Sequence, residues 1–363
     1  MSVPIRAQSA EAKTPVHGYY YWMVEIAAVK VFIDHGVFEA IPADGSIAID
    51  ELAEKTNADS HLIERFSKFL VAAGVLTFPT AGQVAHNDAS RRLAEPRIKL
   101  LYRHIFDFFM IPAAKWPEYF VENGLKEPVS SDRVPFGFAA GEPDKTLYQI
   151  LETRPQRHEE FNRAMAAAVE TMPITGMYDF SWIGKYAAAS KDNHERPLFV
   201  DVGGGKGQAL RAILKENPSI DASRCVLEDQ SAVIDEAIQE ADEALSKVAK
   251  VKMSIFEEQP VRGALVYHIR RVLNDWSDAD CVKILSHLRN ACVADSRILI
   301  SEQLIPEQPS LDLAAFDIWM FNFSGKRRNE KLFQDIATKA GLRISNVSRD
   351  DDSGGGIIEM VPV

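Results

Sequence analysis

The stretch that most constrains this chain is Leu198-Phe199-Val200-Asp201-Val202-Gly203-Gly204-Gly205-Lys206-Gly207. An apolar run ends in an acid and then breaks into glycines. The run predicts a buried parallel strand, a tight turn, and a helix starting near Gln208. Glycine allows positive φ and lets a ligand approach the main chain closely. The N–H groups at the following helix start favour an anionic group. Such a turn by itself often serves only packing. The spacing is Gly203-x-Gly205-x-Gly207 with Gln208 next, so the dinucleotide fingerprint G-x-G-x-x-G is not met.

Two acids sharpen the reading. Asp201, two residues before the first glycine, is placed to accept from a ligand's ammonium. Asp229 ends the next apolar run, Cys225-Val226-Leu227, where a ribose diol would lie. An ammonium, a carboxylate and a ribose together describe S-adenosyl-L-methionine. From Leu198 onward, candidate strands (198–202, 224–228, 264–269, 297–301, 342–348, 356–362) alternate with candidate helices (208–216, 231–248, 277–293, 329–340). Alternation of this kind predicts a doubly wound α/β sheet. Its ligand cleft lies at the strands' carboxyl ends, along the loops after Val202, Glu228, Ile269 and Ser301.

Composition removes several classes of partner. The 363 residues suffice for two domains. A net charge of −11 disfavours a nucleic-acid backbone or an anionic membrane surface. Three cysteines, Cys225, Cys281 and Cys292, are too few for a disulfide framework, and a reduced cytoplasmic setting is expected. Met1 to Pro15 lacks the apolar core of a signal peptide, and no run of 18 apolar residues exists. No metal site is expected.

Residues 1–15 read as a disordered tail. From Tyr19 to about His35, Trp22, Met23, Ile26, Val29 and Phe32 recur at helical spacing, an apolar face suited to another chain or domain. A helix capped by Asp50, a helix from His61 to Ala73, and a two-strand wing (Val75–Phe78, Val84–His86) make a winged-helix pattern. Residues 49–73 hold no cluster of Lys and Arg, which favours a structural or dimerisation module over DNA binding. Residues 97–172 are helical and aromatic (Tyr102, Phe106, Phe108, Phe109, Trp116, Tyr119, Phe120), a supply suited in part to an apolar substrate pocket. A polar linker is expected from Lys185 to Arg196.

Together these pieces resemble the class I S-adenosyl-L-methionine-dependent O-methyltransferases of the plant caffeate and fungal natural-product type. The stretches that carry the resemblance are Val200–Gly207, Val226-Leu227-Glu228-Asp229, Arg270-Arg271-Val272-Leu273-Asn274-Asp275-Trp276-Ser277-Asp278, Glu302-Gln303-Leu304-Ile305-Pro306, and Gly325-Lys326-Arg327-Arg328-Asn329. The resemblance implies a Rossmann-like methyltransferase sheet with an N-terminal all-helical, winged-helix dimerisation domain, and a homodimer. The expected partition is a tail (1–15), a dimerisation domain (16–96), a helical substrate segment (97–190) and the cofactor domain (191–363). Cofactor contacts are implied at Gly203, Gly205 and Asp229, with Trp276 as an aromatic wall for the adenine. Asp201, Phe256 and Arg270 complete the expected cofactor set. Arg270 and Arg271 either meet the cofactor carboxylate or flank the strand.

Three positions depart from the family pattern. Where the family has His-Asp-Trp, this chain has Asn274-Asp275-Trp276, so the general base is an amide that takes up no proton near neutrality. A positioned base contributes roughly 10²–10⁴-fold. Where the family has Glu in Gly-Lys-Glu-Arg-Thr, Arg327 stands, a permanent cation. Ser254 replaces an Asp that touches the adenosine. Of the three usual catalytic positions only Glu302 is kept. An acidic phenol or enol needs little help from a base, because proximity supplies much of the rate. The double loss favours another outcome, that of the fungal pericyclases on this fold, which dehydrate and cyclise polyketide-derived substrates without spending the methyl group. Such chemistry needs shape and a positive field. Asn274 would donate to a substrate carbonyl, Asp275 would fix its geometry, Arg327 would supply charge or face solvent, and His104 is the acid/base candidate of the substrate segment. A non-catalytic cofactor-binding partner is the remaining alternative.

Overall fold

The computed structural model describes residues 14–168, 172–190, 195–350 and 353–363. The tail expected over 1–13 lies outside the described residues. The chain forms two compact units, Met1–Met110 with Glu159–Ala167, and Ile111–His158 with Ala168–Val363. The helical segment expected over 97–190 is therefore divided between the two, with the first boundary at Met110.

In the first unit, α1 (Pro15–Asp34) begins four residues earlier than its periodicity suggests, because Pro15 at the first turn has no N–H to leave unpaired. Strand β1 (Ile47–Ala48) leads into α2 (Ile49–Lys55), and α3 (Ser60–Ala72) follows. Asp50 does not cap α2. It sits in the first helical turn, and its carboxylate accepts from the Ser60 hydroxyl. The capping acid is Asp59, which accepts from the Leu62 N–H at 2.9 Å and so starts α3. Strands β2 (Leu76–Thr77) and β3 (Gln83–His86) pair antiparallel, and β3 also pairs with β1. Phe32, Phe38, Leu52 and Leu70 are fully buried in the core of this unit. Helix α4 (Pro96–Ile105) continues into a single π-turn over Phe106–Met110.

The second unit carries α5 (Trp116–Asn123) and a seven-stranded sheet in the order β6-β5-β4-β7-β8-β10-β9. The strands are β4 (Phe199–Val202), β5 (Cys225–Asp229), β6 (Ala249–Lys252), β7 (Val266–Arg270), β8 (Arg297–Gln303), β9 (Leu342–Arg349) and β10 (Gly355–Pro362). Strands β6, β5, β4, β7 and β8 run parallel, while β10 and β9 are antiparallel to their neighbours. Alternation within each strand splits the core into two layers. Val200, Tyr267, Ile298, Ile300 and Ile358 pack on α8 (Asp278–Ala291) and α10 (Glu330–Lys339). Phe199, Val266, Leu299 and Ile357 pack with α6 (Gln208–Glu216) and α7 (Ser231–Gln239).

One predicted helix is broken and one strand was not foreseen. The helix expected over 231–248 ends at Gln239. Ala241 takes a left-handed φ of 47°, Asp242 caps a short turn through the Ala244 N–H at 2.9 Å, and β6 follows. Strand β6 is short and carries Lys250 and Lys252, as an edge strand does to discourage further pairing. Helix α9 (Leu311–Met320) was not anticipated either. The linker expected from Lys185 begins inside a helix, Ser181–Ala189.

Candidate active site

The carboxyl ends of β4, β5, β7 and β8 deliver the expected residues to one edge of the sheet. At the end of β4, Gly203 has φ +65°, and a Cβ there would stand 2.9 Å from Val272 Cγ2. Gly207 has φ +85°, and a Cβ there would stand 2.4 Å from Leu245 Cδ1. Both positions therefore need glycine. The Gly205 N–H donates to Asp229 Oδ2 at 2.8 Å, and the Gln230 N–H donates to Asp229 Oδ1 at 2.7 Å. Gly205 and Asp229, 24 residues apart, thus meet directly. Burial raises the Asp229 pKa, against the pull of those two N–H groups.

Asp201 is 1 % exposed. Its Oδ1 accepts from His268 Nδ1 at 2.8 Å, and its Oδ2 is buried without a hydrogen-bond partner. Arg270 donates from Nη2 to the Met172 carbonyl at 2.7 Å, and its Nε is also buried without a partner. Burial and the neighbouring Arg271 lower the Arg270 pKa. A buried lone pair and a buried N–H, both unused, suit the zwitterionic end of an amino acid. With the glycine turn and Asp229, the residues present fit S-adenosyl-L-methionine.

Trp276 stacks edge-to-face on Phe256, with centroids 4.7 Å apart, so these two members of the expected set lie together. Ser254 Oγ accepts the Phe256 N–H at 3.3 Å, a local turn contact. Tyr148, which sequence reasoning missed, lies 6.2 Å from Trp276. Desolvation and the charges of Asp275 and Asp229 push its hydroxyl well above the usual phenol range. Its only signal was its place in the aromatic segment.

The loop bearing Asn274 is clamped from outside. Arg328 is fully buried and donates to the carbonyls of Leu273 (2.7 Å) and Trp276 (2.8 Å) and to Asp278 (2.8 Å). The Lys326 N–H donates to the Asn274 carbonyl at 3.0 Å. A Cβ on Gly325 would stand 2.3 Å from that same oxygen. So clamped, Asn274 Nδ2 donates to Asp275 Oδ1 at 2.7 Å, and the Asn274 N–H donates to Glu302 Oε1 at 3.3 Å.

Glu302 is 2 % exposed, and its Oε2 is buried without a partner. Burial and then the charge of Asp275 push Glu302 up to about 7. Burial pushes Asp275 up to about 6, with Arg271 pulling it back. Arg327 is only partly open to solvent. It is half-buried, its Nε has no partner, its guanidinium lies 5.7 Å from the Phe316 ring on α9, and its own N–H is fixed by Asp317 at 2.7 Å. It lies close enough to Glu302 and Asp275 for their charges to act on it. Arg271 completes the group in a left-handed conformation (φ 55°), an unusual backbone for a bulky residue and one that clusters at functional sites.

His104 belongs to the first unit. It is 5 % exposed and packs on Phe108 (4.9 Å) and Phe161 (5.6 Å). Burial lowers its pKa to about 4, so it is neutral at physiological pH and a weak base. Trp116, Tyr119 and Phe120 of α5 pack around Phe321, at 5.7, 6.4 and 5.6 Å. A hollow of about 600 Å³ between Arg196 and Asp295 lies away from these residues, and its Arg196, Asp295 and Tyr186 bond one another. Among the described residues no three His, Cys, Asp or Glu side chains converge to hold a metal, and no helix is long and apolar enough to cross a membrane.

Comparison with known proteins identifies the family. Residues 123–343 match the model of the O-methyltransferase domain. Methyltransferase fsa4 of Fusarium sp. (strain FN080326) is 52% identical over 99% of this chain and 99% of its own. The crystal structure of OxaC in complex with SAH and oxaline superposes with a TM-score of 0.84 at 25% identity, covering 98% of this chain and 90% of OxaC. LepI in complex with SAM superposes at 0.72 with 21% identity, covering 98% and 91%, a likeness of fold. The chain belongs to the O-methyltransferase family, with the class I fold and S-adenosyl-L-methionine as its cofactor.

Proposed function

We propose that this chain is a methyltransferase of fungal natural-product biosynthesis acting on a small, apolar or aromatic acceptor with an acidic proton. The observation that carries this reading is the surrounding of Asn274. Position 274 carries an amide in place of an imidazole. Two cations, Arg271 and Arg327, flank the buried acid Glu302, whose Oε2 carries no hydrogen bond. When bound, S-adenosyl-L-methionine supplies an electrophilic methyl group. Arg271 and Arg327 favour an acceptor already anionic, because charge attraction is strong in a desolvated site. Glu302 Oε2 takes the acceptor proton where one remains. Asn274 Nδ2 orients the acceptor oxygen. Asp201, Gly203, Gly205, Asp229, Phe256, Arg270 and Trp276 bind and orient the cofactor. The likeness to fsa4 supports methyl transfer ahead of the cyclisation that the motif alone favours.

The second reading is a pericyclase that leaves the methyl on sulfur. The pairing of Asn274 with Asp275, at 2.7 Å, favours it, since an oriented amide donates well to a carbonyl. The test uses purified protein, methyl-labelled S-adenosyl-L-methionine and a panel of acidic phenols and enols, followed by mass spectrometry. We expect a product heavier by one labelled methyl, with S-adenosylhomocysteine formed. An isomerised or dehydrated product with the cofactor unspent would replace the first reading by the second. Binding without turnover of any acceptor would support the non-catalytic alternative.

The first unit supports a homodimer. Its paired helices and short strands have the order of a winged-helix module, and α1 exposes Val16, Tyr19, Tyr20 and Met23 to between 60% and 73%. A second copy of the chain is the occupant proposed for that face.

A further inference from the structure

Strands β4 and β7 place Asp201 directly beside His268, in register and on the same face of the sheet. Each side chain is 1 % exposed. Nothing in the motif marks His268, which lies 67 residues along the chain from its partner. Its ring is set by Phe199, 5.3 Å away, and by Phe180, edge-on at 6.3 Å. The carboxylate it holds lies directly beneath the glycine turn, since a Cβ on Gly204 would stand 2.6 Å from Asp201 Oδ2.

A purely structural buried acid has both oxygens satisfied. Asp201 has one oxygen fixed by His268 and the other free. Arg270 repeats the arrangement with opposite sign: Nη2 is fixed by the Met172 carbonyl, and Nε is free. The two free groups match an ammonium and a carboxylate.

We propose that His268 is a positioning residue for cofactor binding: its Nδ1–H holds the Asp201 carboxylate so that Oδ2 faces the ammonium of the cofactor's amino-acid end. This rests on the assignment of Asp201 and Arg270 to that end. Without His268 the carboxylate has no fixed rotamer, and Oδ1 becomes a buried acceptor with no donor.

The test is calorimetric binding of two ligands to the full chain. S-adenosylhomocysteine has the amino-acid end; 5′-methylthioadenosine lacks it. His268→Phe keeps the packing and removes the donor. It should weaken S-adenosylhomocysteine about tenfold or more, the scale of a hydrogen bond to a charged group, and leave 5′-methylthioadenosine within about twofold. His268→Asn, whose amide nitrogen can stand where Nδ1 stands, should retain most of the affinity, and His268→Gln should not. Equal losses for both ligands in His268→Phe, or equal affinities of the Asn and Gln variants, would overturn the proposal. The Asn and Gln pair decides if the Phe variant does not fold. Asp201→Asn separates the two levels. A selective loss there with none in His268→Phe overturns the role of His268 alone. No change in Asp201→Asn removes the assignment of Asp201 itself.

Discussion

At the scale of single residues, Asn274 and Glu302 set the chemistry. Asn274 cannot accept a proton, so the proton of an acceptor must go elsewhere or be gone already. Glu302 is buried next to Asp275, and both effects disfavour its ionised form, so it titrates at about 7. A base must be ionised to act. The kcat/KM for methyl transfer should therefore rise with pH through about 7. Glu302→Gln should remove that rise and lower the rate by roughly 10²–10⁴-fold. A flat profile in the unaltered enzyme would show that the acceptor arrives as its anion and that the two arginines suffice.

At the scale of elements, the glycine turn depends on a segment that the sequence misdescribed. Had the helix after Ser231 run on to 248, Leu245 would stand elsewhere. The break at Ala241 and the cap at Asp242 instead bring Leu245, 1 % exposed, against Gly207. Gly207→Ala adds a left-handed strain of about 1–2 kcal/mol and a contact that Leu245 must yield to. We expect urea denaturation to show a loss of at least that size. Leu245→Ala in the same chain should relieve part of the loss, giving a non-additive cycle. Strict additivity would mean that the turn and the 243–245 segment are uncoupled. The α9 helix shows the opposite case. None of its residues is buried, so it lacks the one-sided burial that marks a helix. Yet it sets Phe316 against the Arg327 guanidinium, and its Asp317 holds the Arg327 backbone N–H.

At the scale of the whole molecule, α1 presents a stripe of large apolar side chains that the described residues leave exposed. Val16, Tyr19, Tyr20 and Met23 follow helical spacing, and burying such a face offsets the cost of association. Sedimentation velocity at micromolar concentration should give a dimer. Tyr20→Lys with Met23→Lys should give a folded monomer with unchanged circular dichroism. A monomeric unaltered chain would remove the proposal.

The alternating α/β order, the position of the glycine turn, and the acids at the ends of β4 and β5 were all legible in the linear sequence. These follow from local periodicity and from glycine's backbone freedom, which neighbouring residues alone dictate. It also marked Asn274 and Arg327 as departures, because a motif is read position by position. Which residues stand side by side came from the folded chain. Register between strands put His268 against Asp201, the clamp of Arg328 fixed Asn274 over Glu302, and packing carried Tyr148 to Trp276. Each of these pairs joins residues far apart in the chain. Their contact is set by sheet register and burial, which no local pattern records.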